Sequence, residues 1–341
     1  MRLVYDGAMP VTVSLSRPPS QLAKLEVMLV LLVAACGAGR GKAPDPPPWK
    51  QPAEERAPLP PTRDPRGYAG RTPLHDAAQS GKLDEIRALL DGGADLEAVE
   101  EVYRYTPLLL ALEYSEPEAA LFLLERGAST AGHIGPQALL LAARSGDVTV
   151  IDALLARGIA PRGIGALHAA ARYGHVSAIE RLLAAGAQVD ELLPDERWTP
   201  LLVACMENQP DAAKALLVAG ASVEVRDRNG NTALHWAVFG SRPKEVHVYM
   251  ELGGEHDTYF VPQTSAPILE MLLARRAPVD ATDNEGRTPL HQAVLFEASS
   301  AVDALLTAGA SRTARDREGK TPLELARARG HEGIARRLER P

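Results

Sequence analysis

The stretch from Asp283 to Lys320 reads DNEGRTPLHQAVLFEASSAVDALLTAGASRTARDREGK, and the chain then restarts the same phrase as DREGKTPLELARARG. Thr288 and Thr321 stand 33 residues apart, and self-similarity at such a period demands a stack of small units rather than one closed core. Each residue type in the phrase has a mechanical role. Thr288 suits a helix N-cap and Pro289 its first turn, where a missing N–H costs nothing. Leu290, Ala293 and Val294 then form one apolar face. A second helix is predicted from near Ser299, burying Val302, Leu305 and Leu306 and ending at Gly309. Asp316 to Lys320 is a polar turn into the next copy, so one unit reads helix, turn, helix, then an outward hairpin or loop.

The opening phrase recurs at Thr72, Thr106, Gln137, Gly165, Thr199, Thr232, Thr288 and Thr321, and second-helix endings such as LLDGGA, LLERGA, LLAAGA, LLVAGA and LLTAGA recur in register with it. On these two halves the chain resembles the ankyrin-repeat family over residues 71–340. The resemblance implies an all-α solenoid of eight repeats behind a disordered N-terminal leader. Aromatic residues make up 4% of the chain, which fits stacked faces of Ala and Leu.

Residues 1–35 read as a signal-peptide-like leader and residues 36–70 as a proline-rich tether. Val27 to Ala35 is an uninterrupted apolar run, too short to span a bilayer but long enough for a signal-peptide core. Val33-Ala34-Ala35-Cys36 resembles a bacterial lipobox, in which the cysteine is lipidated. The segment after it, rich in Pro, Gly and charge, has too little apolar surface to fold. The expectation is an anchor in a bacterial cell envelope through Cys36. The alternative is a cytoplasmic interaction protein with a misassigned start. GAGRGK, residues 37–42, lacks the spacing and the flanking elements of a phosphate loop.

From Thr288 the pair Leu305-Leu306 follows 17 residues later, but from Thr232 the matching Leu272-Leu273 follows 40 later. An insertion within residues 241–266 accounts for the difference. Val246, Val248, Met250 and Leu252 alternate before Gly253-Gly254, so the insertion reads as a projecting β-hairpin; a short helix from Lys244 to Leu252 is the alternative. Repeat three is short, with residues 160–163 in place of a full hairpin.

The charge balance, 37 basic against 44 acidic residues, falls unevenly. The leader and tether are near +3 and the array near −10, which disfavours a phosphate-backbone ligand. Cys36 and Cys205 are the only cysteines, too few for a disulfide framework or a zinc site. His75, His168, His235 and His291 hold the fourth position of the opening phrase, where the resemblance implies hydrogen bonds between repeats. His247 and His256 of the insertion, near Glu251, Glu255 and Asp257, carry a metal-dependent alternative, but no fixed ligand spacing supports it. No catalytic motif, metal site or cofactor is expected.

What remains is recognition of an unidentified protein by a monomer attached to a membrane through lipid alone. By the resemblance, first-helix residues not needed for stacking face a concave side. Trp236, Phe239, Leu295 and Phe296 form an apolar group there on adjacent repeats, flanked by Tyr173 and Tyr114. These six are the candidate contact residues.

Overall fold

The computed structural model describes residues 70–101, 103–240 and 266–340 in full, and the backbone of residues 2–5, 11–12, 244–249 and 256–261. The chain divides into two units, residues 62–241 with 265–341, and residues 1–61 with 242–264.

The larger unit is a run of eight helix pairs. They are α1 Pro73–Gln79 with α2 Leu83–Asp91, α3 Pro107–Glu113 with α4 Pro117–Glu125, and α5 Ile134–Ser145 with α6 Val148–Ala156. Then come α7 Ala166–Arg172 with α8 Val176–Ala184, α9 Pro200–Met206 with α10 Pro210–Val218, and α11 Ala233–Gly240 with α12 Ala266–Ala274. The array closes with α13 Pro289–Leu295 and α14 Ser299–Thr307, then α15 Pro322–Arg329 and α16 Glu332–Glu339. The first helices begin where the sequence places the caps. Thr106, Thr199, Thr288 and Thr321 each accept a backbone N–H three residues on, and proline takes the first helical position after each.

Packing follows the unit order. Each first helix lies against its own second helix and against the first helices before and after it, and the second helices form a parallel row. The core is therefore a ribbon rather than a ball. Leu74, Leu108, Leu139, Leu167, Leu201, Leu234 and Leu290, the third residue of each opening phrase, are buried almost completely. So are Leu123, Leu154, Leu182, Leu216, Leu272 and Leu305 of the second helices. Burying each stabilises the array by roughly 1.5–3 kcal/mol before entropy is charged against it. Small Ala residues beside them, Ala77 and Ala78, Ala142 and Ala143, Ala170 and Ala171, let neighbouring pairs approach closely.

Between pairs the chain runs outward as fingers. The connections 92–106, 185–199, 219–232, 275–288 and 308–321 are fourteen or fifteen residues long, but 126–133 and 157–165 are only eight and nine. The sequence predicts the short connection after repeat three. It does not show the one after repeat two, because α5 starts at Ile134, three residues ahead of the phrase at Gln137, and absorbs part of that finger. Gly135 permits this: a Cβ there would sit 2.4 Å from Cδ1 of Ile159.

The second unit contains a four-stranded sheet in the order β2-β1-β3-β4, from β1 Arg2–Tyr5, β2 Val11–Thr12, β3 Lys244–Tyr249 and β4 His256–Val261. The insertion is thus a hairpin, with Val246 opposite Tyr259 and Tyr249 opposite His256. The short-helix alternative is overturned by this pairing. β1 pairs antiparallel with β3, Arg2 opposite Tyr249 and Tyr5 opposite Val246. The sequence reading put no strand in the leader. Cys36, the lipobox-like run and the tether lie outside the described residues, as do the side chains of His247 and His256.

Candidate recognition surface of the first helices and fingers

The histidines of the opening phrase join one repeat to the next. Nε2 of His75, His168, His235 and His291 lies 3.1, 2.9, 3.1 and 3.0 Å from the carbonyl oxygens of Tyr105, Trp198, Arg287 and Lys320, each the residue just before the next capping threonine. A carbonyl only accepts, so Nε2 carries the proton. Nδ1 then accepts the backbone N–H of Thr72, Thr232 and Thr288 at 3.1, 3.1 and 3.2 Å. Both ring nitrogens are occupied, and burial, the largest cause, holds all four imidazoles below the ordinary pKa. At His168 the cap is Gly165, and among the described residues Nδ1 has no partner. Repeat eight has Glu324 in the histidine position, accepting the N–H of Thr321 at 2.8 Å.

Finger backbones add a second set of ties. The N–H four residues ahead of each capping threonine donates to a carbonyl three residues ahead of the previous one: Arg228 to Glu196 at 3.0 Å, Asn284 to Asn229 at 2.9 Å, and Arg317 to Glu285 at 2.8 Å. Asp227 anchors its finger by accepting from the N–H groups of Asn229 and Asn231 and from Nδ2 of Asn231. Asp283 does the same for Glu285 and Arg287, and Nε2 of Gln292 donates to Oδ1 of Asn231 at 3.0 Å, tying the two networks together.

On this scaffold four aromatic rings run from repeat four to repeat seven. Trp198 meets Trp236 with ring centroids 5.4 Å apart, Trp236 meets Phe239 at 5.3 Å, and Phe239 meets Phe296 at 5.4 Å. All three contacts are edge-to-face, the arrangement the ring quadrupoles favour. Trp198 was absent from the sequence-derived contact set; its position just before a capping threonine, like that of Tyr105, was the available signal.

Trp236 and Phe239 are only 6% and 5% exposed, which corrects the expectation that they face outward as anchors. The ring row takes them inward, and Nε1 of Trp236 donates to Oδ2 of Asp227 at 3.1 Å. Leu295 and Phe296 are half-buried. Tyr114 and Tyr173 are exposed, 47% and 42%. The ring of Tyr173 stacks beside His175. Around them lie Arg144 paired with Glu113 at 3.0 Å and Arg172 near Glu207 at 3.6 Å. The structure thus separates the six sequence-derived residues into two that are enclosed, two at the margin of the ring row, and two tyrosines on repeats two and four.

Cys205 is fully enclosed, and burial pushes its thiol well above the ordinary range, so it packs as a small apolar side chain. Among the described residues no three His, Cys, Asp or Glu side chains converge as a ligand set.

A stack of helix pairs packed each on its neighbours, stitched by a histidine in four of the eight units and by finger backbones, defines a tandem-repeat solenoid. The comparisons with known proteins place it further. The family description "Ankyrin repeats (3 copies)" matches residues 59–133 and 167–248, and "Ankyrin repeats (many copies)" matches residues 265–326. The chain belongs to the ankyrin-repeat family. Similar proteins include Inversin of Homo sapiens, 28% identical over 68% of this chain and 21% of its own length. Ankyrin repeat protein nuc-2 of Neurospora crassa is 32% identical over 50% of this chain and 17% of its own. NF-kappa-B inhibitor alpha of Mus musculus is 35% identical over 33% of this chain and 30% of its own. The chain spans a third or less of the length of these curated relatives.

Proposed function

We propose that the chain is a non-catalytic protein-binding module that holds a partner protein against its first-helix face. The observation that carries this reading is that Tyr114, Tyr173 and Phe296 hold one repeat position, eight residues after the first residue of the opening phrase in repeats two, four and seven. Leu295 and Phe296 border the ring row, Tyr114 and Tyr173 are exposed, and ion pairs lie beside the tyrosines. Large side chains of few rotamers on a rigid support lose little entropy on binding and supply most of an interface's energy. The histidines, the groups best suited to proton transfer, are committed to the stack. One similar protein, NF-kappa-B inhibitor alpha, is named for inhibiting another protein, which agrees with a binding role.

The test is site-specific photocrosslinking in the native host from Tyr173, Phe296 and, as a control, Val218, which is 73% exposed on a second helix. A single adduct common to Tyr173 and Phe296, and lost in the Tyr173→Ala, Phe296→Ala double variant, supports the reading. Equal adducts from Val218 would remove the first-helix face from consideration.

Attachment to a bacterial cell envelope through a lipidated Cys36 is proposed from the lipobox-like run and the tether. Cys36→Ser should then move the protein from the membrane to the soluble fraction. A second reading, a cytoplasmic protein with its leader retained, is favoured by one observation: β1 and β2 come from the first twelve residues, and β1, paired with β2 on one side, pairs with β3 of the insertion on the other. Intact mass of the mature protein separates the two, since cleavage before Cys36 removes both strands.

A further inference from the structure

Among the described residues three buried side-chain atoms have no hydrogen-bond partner, and all three belong to repeat four: Nδ1 of His168, Oε2 of Glu191 and Nε1 of Trp198. A buried polar atom left unpaired costs free energy, so three in one repeat call for a physical reason. Two departures from the repeat pattern meet here. Gly165 stands where threonine caps the other histidine repeats, and Nδ1 of His168 lacks the backbone N–H that His75, His235 and His291 accept. The second departure is Glu191. The N–H groups that close the five full fingers belong to Glu100, Leu193, Asp227, Asp283 and Asp316, and two residues before each stand Ala98, Glu191, Val225, Ala281 and Ala314. Of these five fingers only that of repeat four puts an ionisable group there, and both the backbone and the carboxylate of Glu191 act on the His168 ring.

The carboxylate is held from its other side. Gly163, two residues ahead of the Gly165 cap, donates its N–H to Oε1 of Glu191, which leaves Oε2 for a second donor. Nε2 of His168 donates to the carbonyl of Trp198 at 2.9 Å. Burial lowers the proton affinity of this imidazole, the Trp198 carbonyl and the Glu191 carboxylate raise it, and Arg172, one turn further along α7, lowers it. The other charged groups around α7 are engaged or lie outside. Arg144 of α5 pairs with Glu113, and Arg181 of α8 pairs with Asp152, beside exposed Glu180. His175, ahead of α8, holds the carbonyl of Arg144, and α9 brings only the enclosed thiol of Cys205. Arg157 and Arg162 of the preceding connection hold the carbonyls of Leu124 and Gly186. In the finger Asp190 accepts the N–H of Ser222, and Asp195, Glu196 and Arg197 are exposed.

We propose that His168 and Glu191 form a proton-operated latch, in which a proton taken from solvent at Nδ1 of His168 is donated to Oε2 of Glu191 and fastens the finger of repeat four to the start of α7. At His75, His235 and His291 the same proton would set N–H against N–H and break a cap. At His168 it joins two unpaired atoms in a charge-assisted hydrogen bond. The bond from Nε2 to Trp198 is kept, so the finger is gripped at both Glu191 and Trp198, and Trp198 begins the ring row. The latch is a property of the chain alone and goes beyond its binding role.

Long-range nitrogen–proton spectra of the histidines in the full chain, followed from about pH 8 to about pH 5 across the ordinary histidine value, test it. Nδ1 of His168 should gain the proton while its Nε2–H signal persists. Glu191→Gln should move the His168 midpoint to lower pH and leave those of His75, His235 and His291 in place. Glu191→Ala, which supplies the residue that three other fingers carry there, should do the same. Glu196→Gln removes an equal charge from an exposed site of the same finger and should move the midpoint less. The protection factor of the Leu193 amide, which closes this finger, should rise with His168 protonation in the parent chain and in neither Glu191 variant. A His168 midpoint unmoved by the Glu191 variants, an equal shift from Glu196→Gln, or loss of the Nε2–H signal as Nδ1 titrates would overturn the latch. None of these readouts involves a partner, so failure here and failure of the first-helix reading are distinguishable.

Discussion

Nε2 of His235 donates to the main-chain oxygen of Arg287 at 3.1 Å across 52 residues, whereas His75, His168 and His291 make the same bond across 30, 30 and 29. The inserted segment leaves the tie between repeats six and seven intact. His235→Ala would strand the N–H of Thr232, and leaving a buried group unpaired costs about 1–3 kcal/mol; it would also leave a buried void and remove one of the two donors to the carbonyl of Arg287, the other being the N–H of Asp283. A loss of about 2–4 kcal/mol is expected in urea unfolding; a change under half a kilocalorie would show the tie to be incidental.

Acid should weaken the array through its buried histidines. The four histidines are held below 6.5 when folded, so the unfolded chain takes up protons that the folded chain refuses. Their contribution is complete above pH 6.5 and declines as pH falls below it, by at most about 1.4 kcal/mol per histidine per pH unit. Glu324, also lowered, from 4.5, acts only further down the scale. Unfolding free energy at pH 5.5 should therefore lie below that at pH 7.5. Equality, with the folded-state histidine shifts titrating near the ordinary value of about 6.5, would refute the buried neutral assignment.

Repairing the odd cap should do harm. Gly165 stands where other repeats have threonine, but its φ is +72° and its Cβ would lie 3.3 Å from Cδ2 of Leu193. Gly165→Thr gives His168 a hydroxyl neighbour yet forces a β-branched residue into the left-handed region, at a cost of about 1–2 kcal/mol. Thermal melting should fall; a rise would mean that the turn can rearrange.

Asp227 holds more of its finger than any one neighbour. Asp227→Ala removes acceptors for Asn229, Asn231 and Trp236 together and should cost about 3 kcal/mol or more, since several buried donors are orphaned at once. Asp227→Asn should cost less. Amide exchange should rise first at Arg228 and Asn284, the donors of the finger ladder.

Much of this was legible because one rule acts at most of the repeats. A threonine cap, a proline after it and paired leucines a fixed distance on are local signals, and stacking repeats them. Burial of Trp236 and Phe239 was not legible, for helical spacing placed them on the outward side and only contact with Trp198 and Phe296, from other repeats, turns them inward. The lost finger of repeat two was hidden too, since Ile134, Gly135 and Pro136 read as a loop until Gly135 is seen against Ile159. The four-stranded sheet needed pairing between residues more than two hundred positions apart, which no short-range pattern announces.

Neighbouring fingers meet main chain to main chain, and the 15-residue finger of repeat four keeps that tie to the 14-residue finger after it, Arg228 donating to the carbonyl of Glu196. The turn between the two helices of a repeat meets its neighbours through side chains, as His175 does with the carbonyl of Arg144 and Gln209 with that of Arg172. A side chain can be exchanged; a register cannot. The turn between the helices of repeat six is where the chain opens into the β3–β4 hairpin, and the side-chain ties of that flank leave room for it without shifting any main-chain pairing between fingers.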